Sequence, residues 1–436
     1  MTSSLALNPS PTTTNSPGAA RSILVFRVAI GLVALHVVDD SFLQPPAGTT
    51  AADHLVSGLA TLAPILLAAW AYPRVRAGAA AAIAIFVGLC GVLFGAVEAG
   101  YFTVVVGPSG DDFTGLVSIP AGAVLVGLGA WRLWRSRRNT PNHVWRYGRR
   151  VLIGAVAIVV VYQTVPPLGW AYLATHAARA EVPAADLGAA HEDVTLKTSD
   201  GLELEGWYVP SQNGAAVIVF PARQRSEHHA RMLVEHGYGV LLFDRRGEGA
   251  SEGAGNMFGW GGERDIFAAI DFLESRPDVD PDRIGGLGLS VGGELMLQAA
   301  AQDERLAAVV SEGAGARSMK EQLQDHPLSE VWPILPALAL QTGAAAVFSD
   351  TMPPPRLTEL VPGIAPRPAL FIWAPDGGNI ETINPRLHRL AGPKAEIWEI
   401  DAPHIEGITT HPEEYDRRVM GFLDRALLAG VNRATG

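Results

Sequence analysis

The chain has 436 residues, of which 48% are apolar and only 18% are charged, and its formal net charge is −11. Soluble globular domains carry about 25% charged residues, so this composition excludes a wholly soluble protein and a disordered one. A single cysteine excludes a disulfide scaffold, and the acidic balance argues against nucleic acid as a partner. At about 100–200 residues per domain, the length allows two or three domains.

The charges are unevenly distributed along the chain. Of the 33 basic and 44 acidic residues, 12 arginines and six acidic residues fall within residues 1–180, which leaves 21 basic and 38 acidic residues after them. An apolar, mildly basic half is therefore followed by an acidic half with the composition of a soluble domain. Residues 1–20 are rich in Ser, Thr, Pro and Asn and have no apolar period, which predicts a disordered tail.

Five apolar segments predict an all-α transmembrane domain at residues 21–175, because about 20 apolar residues cross the hydrocarbon core of a bilayer. These segments are residues 22–38, 54–72, 77–97, 113–134 and 151–173. Arginine occurs at the start of the first segment, between the second and third, and between the fourth and fifth, whereas the other two loops carry only acidic charges. Since Lys and Arg mark the cytoplasmic loops, five spans place everything after about residue 175 outside the cytoplasm.

Several ionisable side chains fall together on the predicted outer side of these spans: His36, Asp40, Asp53, His54 and Glu98. Convergence of these groups between helices would make a metal or proton site. Span ends and wet loops hold the same residue types at little cost, and this interpretation is favoured here. We therefore predict neither a metal site nor an organic cofactor.

Residues 191–430 alternate buried strands with amphipathic helices, after a linker of small residues at 176–190. Asp200-Gly201 between two alternating runs predicts a hairpin. From residue 215 onward, six short apolar runs are separated by helical stretches, which predicts a mostly parallel, doubly wound α/β sheet covered on both faces. The runs are residues 215–220, 239–244, 283–289, 307–312, 369–374 and 395–400.

One long interruption of this alternation, residues 315–366, contains an uncharged stretch at 331–348. If the stretch crossed a membrane, the strand at 369–374 would lie in another compartment from the strands that it must pair with. Pro333 and Pro336 also break the stretch. We therefore predict a cap insertion over the sheet and not a sixth span.

A nucleophilic serine is indicated by Gly288-Leu289-Ser290-Val291-Gly292, a G-x-S-x-G motif between a predicted strand and a predicted helix. Such a turn exposes the serine at the N-terminus of a helix, which favours a developing oxyanion. The base is expected later in the chain, and His404 is the only histidine of this half that directly follows a late strand. His228 and His229 lie on the first helix of the domain, where we expect them to be solvated.

The acid that orients the base is left open by the residues alone. Asp376 follows the strand at 369–374 directly and Glu381 comes five residues later, so that spacing favours Asp376 slightly. For the oxyanion hole we predict the backbone N–H of Val291 and a second N–H from Ala222 or Arg223, because the proline before them cannot donate.

Taken together, these features resemble the α/β-hydrolase superfamily, in its branch of serine esterases and serine aminopeptidases. The resemblance covers about residues 190–430 and is carried by residues 237–251, by the elbow at 288–293 and by His404. It implies the α/β-hydrolase fold and a Ser–acid–His triad. The family commonly has His-Gly after the first parallel strand, whereas Pro221-Ala222 stands here.

The whole chain is similar to a bacterial subgroup of this superfamily that carries a multi-span membrane domain before the hydrolase. In that subgroup a Glu with an Asn three positions later follows the penultimate strand. Glu381 and Asn384 match this pattern, so the resemblance favours Glu381 over Asp376 as the acid.

These features predict a membrane-anchored serine hydrolase that cleaves an ester, thioester or amide through an acyl-enzyme outside the cytoplasm. The alternative is a non-catalytic membrane sensor or transport-linked protein whose hydrolase-like domain only binds a ligand. The expected partners are the lipid bilayer and a small-molecule, lipid or peptide acyl substrate, and the apolar cap favours a lipid or another apolar ester. The sequence does not define the oligomeric state.

Overall fold

A computed structural model of the chain describes residues 17–101, 113–135, 143–176, 182–221, 223, 226–323, 327–375, 377 and 381–429. By its internal packing the chain divides into two units. The first consists of Met1–Leu43 and Gly58–Ile158, and the second of Gln44–Ser57 and Val159–Gly436.

All five predicted apolar segments are helical. The helices are α1 Pro17–Val38, α2 Leu55–Ala71, α3 Ala77–Tyr101, α4 Phe113–Arg135 and α5 His143–Thr175. Four of them are long and apolar enough to cross a membrane, whereas α2 is shorter, with 17 residues. Because α1 begins at Pro17, residues 17–20 belong to a helix and not to the expected tail, whose other residues lie outside the described ones.

Small residues let the helices α3 and α4 approach closely. A Cβ atom added to Gly88 would lie 2.6 Å from the carbonyl oxygen of Gly122, and one added to Gly122 would lie 2.5 Å from that of Gly88. Glycine contacts of this kind are typical of helix pairs in membranes, where van der Waals packing replaces the hydrophobic effect between helices.

The two histidines on the predicted outer side of the spans have different hydrogen-bond partners. His36 Nδ1 lies 3.2 Å from Thr114 Oγ1, which donates to Asp39. His54, which belongs to the second unit, instead contacts Thr49 and Asp350. Within the described ranges there is no group of three or more His, Cys, Asp or Glu side chains that could hold a metal ion.

The second unit contains one eight-stranded sheet in the order β1-β2-β4-β3-β5-β6-β7-β8. Its strands are β1 Glu192–Lys197, β2 Glu203–Val209, β3 Ala216–Phe220, β4 Gly239–Phe243, β5 Ile284–Leu289, β6 Leu306–Glu312, β7 Ala369–Trp373 and β8 Ala395–Glu399. The predicted hairpin is the antiparallel pair β1–β2, and β2 also pairs antiparallel with β4. The remaining neighbours are parallel, which confirms the predicted fold class.

Helices cover both faces of this sheet, so that each face has its own apolar core. They are α6 Glu227–Glu235, α7 Glu263–Glu274, α8 Val291–Gln302, α9 Met319–Leu323, α10 Leu328–Phe348, α11 Leu357–Leu360, α12 Asn384–Leu390, α13 Gly407–Thr410 and α14 Pro412–Leu423. The helices α7, α8, α11 and α12 contribute to the core on one face, and α6 and α14 to the core on the other. The central strands β3 to β6 are buried on both sides, which explains their continuous apolar runs.

The predicted boundary between the two domains at residue 175 does not match the packing of the chain. The loop at residues 44–57 belongs to the second unit because Gly253 N donates to Ala47 O at 2.8 Å and Ser57 N donates to Asp350 Oδ1 at 3.0 Å. The last part of α5, which we assigned to the transmembrane domain, also packs within the second unit. The hydrolase unit is therefore larger than its predicted range.

The predicted cap insertion contains the helices α9, α10 and α11. The helix α10 is itself long and apolar enough to cross a membrane. The strands on either side of it in the sequence, β6 and β7, lie side by side in the sheet, with Val309 opposite Ala369. Since two paired strands occupy one compartment, the pairing excludes a span at α10, as the sequence predicts.

Candidate active site

Ser290 lies on the tight turn between β5 and α8. Its backbone has φ 52° and ψ −121°, a conformation that is strained for a residue with a side chain. The turn needs glycine on both sides: a Cβ at Gly288 would lie 2.3 Å from Gly292 O, and one at Gly292 would lie 2.7 Å from Phe220 O. The turn is therefore held between its own helix and the end of β3, as a nucleophile elbow requires.

The structure brings three of the predicted site residues into one hydrogen-bonded series. His404 Nε2 lies 2.9 Å from Ser290 Oγ, and His404 Nδ1 lies 2.5 Å from Glu381 Oε1. The Glu381 side chain is 1% exposed, whereas that of His404 is 27% exposed. The buried carboxylate therefore contacts the inner nitrogen of the ring, and the outer nitrogen contacts the serine.

Glu381 is held by the turn that follows β7. Its second oxygen, Oε2, accepts a hydrogen bond from Ala374 N at 2.8 Å. The buried Asn384 donates through Nδ2 to Ala314 O at 2.7 Å and to Glu381 O at 2.9 Å, which ties this turn to the loop after β6. The Glu–Asn pattern thus corresponds to a turn whose hydrogen bonds fix the position of Glu381. The alternative acid, Asp376, lies outside the described residues.

The three residues predicted to donate an N–H to the oxyanion differ in how the structure places them. Val291 is the first residue of α8, where the N–H groups have no intrahelical acceptor, and it directly follows Ser290. Ala222 lies outside the described residues. The prediction for Arg223 is wrong, because its N–H donates to Asp244 Oδ1 at 3.1 Å and its guanidinium donates to Asp244 Oδ2 at 2.8 and 2.6 Å. Arg223 instead fixes the loop after β3 to the end of β4.

A buried polar cluster behind the elbow was not expected from the sequence. Tyr415 OH donates to Glu312 Oε2 at 2.5 Å, and His229 Nε2 lies 3.1 Å from Tyr415 OH. His229 is buried, so the expectation that it is solvated is wrong. Burial, together with the nearby Glu312 carboxylate, raises the pKa of Tyr415 well above its ordinary value. Tyr415 is therefore a neutral phenol that donates a hydrogen bond to the side chain of Glu312.

Glu312 connects the serine turn to the histidine loop. Its backbone oxygen accepts from Ser290 N at 2.8 Å, and its side-chain oxygen Oε1 accepts from Gly407 N, three residues after His404, at 3.1 Å. A signal for this residue exists in the sequence, because a glutamate ends the otherwise apolar strand β6. Burying a charge without partners is costly, so a carboxylate at the end of a buried strand implies donors nearby.

Glu294 lies one helical turn after Ser290, and its carboxyl accepts from Gly315 N at 3.1 Å. Burial raises the pKa of Glu294 to about 7, although the Arg317 guanidinium and the Gly315 N–H both act to lower it. Near neutral pH this carboxyl therefore exists in both protonation states.

Comparisons with known proteins identify the family. A protein-family model described as X-Pro dipeptidyl-peptidase (S15 family) matches residues 183–359, a segment that includes Ser290. The uncharacterized protein MT2364 of Mycobacterium tuberculosis is 30% identical over 211 residues, which cover 44% of this chain and 73% of that protein. Polyketide transferase grgF of Penicillium sp is 35% identical over 127 residues, which cover 27% of this chain and 43% of that protein.

Among solved structures, the chain is similar to a Pyrococcus furiosus esterase. The identity is 22% and the TM-score is 0.46, and the match covers 57% of this chain and 98% of the esterase.

The chain belongs to the α/β-hydrolase superfamily and is a serine hydrolase. The matching family model and the M. tuberculosis relative support this assignment, and the mostly parallel sheet of the chain is consistent with it. The resemblance to the α/β-hydrolase superfamily is thereby confirmed.

The titration of Glu294 predicts a pH dependence of stability. In the unfolded chain a Glu carboxyl releases its proton near pH 4.3, whereas in the folded protein it does so at about 7. The stability that the protonated group contributes is therefore complete below about pH 4.3 and is lost as the pH rises through about 7. We expect the apparent Tm of Glu294→Gln to fall less than that of the wild type between pH 5 and 8.

This comparison is made by thermal unfolding of the purified full chain at a series of pH values. Glu274→Gln, at a partly exposed carboxylate that pairs with Arg305, is the matched control and should keep the wild-type profile. Parallel profiles for the wild type and Glu294→Gln would contradict the raised pKa.

Proposed function

We propose that the chain is a membrane-anchored serine hydrolase that acts outside the cytoplasm with Ser290 as nucleophile, His404 as base and Glu381 as the orienting acid. The observation that carries the proposal is the hydrogen-bonded series from Ser290 Oγ through His404 to Glu381, with contacts of 2.9 and 2.5 Å. A serine hydroxyl is a weak nucleophile until an adjacent base accepts its proton. The three groups stand in the order that this activation requires.

In the proposed reaction, Ser290 Oγ attacks the acyl carbonyl carbon while His404 Nε2 takes the hydroxyl proton. Glu381 accepts from His404 Nδ1–H, keeps the ring in the correct tautomer and stabilises the imidazolium. The developing oxyanion lies near the N–H of Val291, at the N-terminus of α8. The leaving group departs with the proton from Nε2, and a water molecule deprotonated by His404 then releases the acid from the acyl-enzyme.

The proposal covers ester, thioester and amide bonds. The matching family is described as a dipeptidyl-peptidase and one relative is named a polyketide transferase, so the names of similar proteins do not select one type of bond. The same nucleophile, base and acid serve each of these acyl compounds, because the leaving group differs only in the atom that takes the proton from His404.

The membrane anchoring is supported by the helices α1 to α5, four of which have the length and composition of a span. The direction is supported by the alternation of arginine-rich and arginine-free loops along residues 1–175. The non-catalytic alternative, a sensor with a ligand-binding domain, would leave Ser290 without unusual reactivity, and reaction with an electrophile therefore separates the two.

We expect a fluorophosphonate probe to label the detergent-purified wild type with a stoichiometry close to one, because Ser290 Oγ is activated by His404. Ser290→Ala should abolish the labelling, which is measured by mass spectrometry. Ser275→Ala, at an exposed serine after α7, is the control and should label as the wild type does. A folded wild type that takes up no probe would favour the non-catalytic alternative.

Glu381→Gln should lower kcat by roughly 10³–10⁴-fold on a p-nitrophenyl ester, because an amide does not hold the imidazole in the tautomer that accepts the serine proton. Asp376→Asn is the matched comparison and should stay close to the wild type. The reverse result, a large loss in Asp376→Asn and a small one in Glu381→Gln, would assign the acid to Asp376.

A further inference from the structure

The helix α10 carries an apolar surface that the described chain does not cover. From Val331 to Phe348 the helix has no charged residue. Near its N-terminal end, Trp332 is 69% exposed and Ile334 is 50% exposed. Exposed apolar surface of this kind on a helix marks an interaction site. The surface does not belong to a membrane span, because the pairing of β6 with β7 places both ends of α10 in one compartment.

The helix α5 contacts α10 at two points. Gln163 Nε2 donates to Pro333 O at 2.6 Å, near the start of α10. Further along both helices, the rings of Tyr172 and Phe348 meet edge to face with centroids 5.6 Å apart. Because the contacts follow the same order on both helices, the N-terminal end of α10 lies at the level of residue 163 of α5.

At this level α5 is itself exposed and apolar. Val159, Val160 and Tyr162 are exposed, Tyr162 by 71%. They belong to a stretch of α5, Tyr147–Thr175, that is long and apolar enough to cross a membrane. Lipid that covers this part of α5 would also reach Trp332 on the neighbouring helix. Tyr and Trp at one level are typical of the interface between membrane and water.

The C-terminal end of α10 leads toward the nucleophile. Ala344 and Ala345 pack with Trp260, in the loop before α7. The neighbouring residue of that loop, Gly259, approaches Val291 so closely that a Cβ would lie 2.7 Å from Val291 Cγ2. Val291 directly follows Ser290, so the exposed end of α10 and the elbow are connected through one packed loop.

We propose that the N-terminal half of α10 is a lipid-contacting surface of the cap, and that the substrate is an acyl lipid that reaches Ser290 from the leaflet around the end of α5. This inference rests on the proposed membrane anchoring. The occupant of the surface is the acyl chains and ester region of the bilayer that holds α5. A helix that is apolar, uncharged over 18 residues and adjacent to a span is suited to this position.

The contact is tested with an environment-sensitive NBD label in nanodiscs. The only cysteine of the chain is Cys90, so single cysteines are introduced in a Cys90→Ala background. Ile334→Cys reports on α10, Val160→Cys reports on the proposed anchor, and Lys394→Cys, an exposed position before β8, is the control. Each is measured with and without lipids that carry a nitroxide quencher on the acyl chain.

We expect at least twofold quenching at positions 334 and 160 and none at position 394. Quenching at 160 alone would overturn the inference and leave the membrane anchoring standing. Absence of quenching at both 160 and 334 would contradict the anchoring and, with it, the inference. Equal quenching at all three positions would indicate nonspecific adsorption and would also overturn it.

The substrate class is tested with a long-chain acyl ester embedded in the same nanodiscs. Ile334→Asp places a charge in the proposed lipid contact and should lower the hydrolysis rate about tenfold or more, because charge is disfavoured in the apolar part of a bilayer. Ile334→Asn should lie between this variant and the wild type, and Lys394→Asp should match the wild type. The apparent Tm of each variant reports on its folding, and a folded Ile334→Asp at the wild-type rate would overturn the lipid route.

Discussion

The arrangement of the reactive groups depends on the end of strand β6. This strand lies between β5, which leads to Ser290, and β7, which leads to Glu381, the proposed acid. Its last residue is Glu312, whose backbone oxygen accepts a hydrogen bond from Ser290 N. The side chain of Glu312 accepts a second hydrogen bond from Gly407 N, in the histidine loop. The next residue, Gly313, donates its N–H to Ile372 O of β7. One strand end thus connects the segments that carry all three groups, across more than 100 residues of sequence.

Much of the fold is predictable from the sequence because its signals are local. The central parallel strands β3 to β6 are buried on both faces, so their apolar runs are continuous. The six predicted runs match β3 to β8 to within two residues at each end. The elbow at Ser290 is also local, since the glycines that permit its backbone lie within two residues of it. The base follows from chain order.

The parts that spacing alone misassigned depend on partners distant in sequence. Nothing near Arg223 indicates that Asp244 satisfies its N–H, and nothing near His229 indicates that Tyr415 and Glu312 give it a buried position. The choice of Glu381 required the family pattern, because its carboxylate is fixed by contacts with Ala374 and His404 that spacing does not encode. The domain boundary was also mispredicted because it depends on distant partners: the loop at residues 44–57 contacts Gly253 and Asp350.

Three glutamates close to the serine turn and the histidine loop have different surroundings. Glu381 contacts the ring itself, and Glu312 is held by a phenol and a backbone N–H. Burial shifts Glu294 toward its neutral form near pH 7. Different environments for chemically equal groups separate their roles.

The packing of the loop at residues 44–57 and of the end of α5 on the hydrolase unit bears on the modularity of the chain. A fragment that starts at the predicted linker would leave Gly253 N and Asp350 without their partners and would expose Trp260 and Ala344. The second unit therefore contains chain segments from both sides of the predicted boundary, and a fragment that begins at the linker would lack part of this unit.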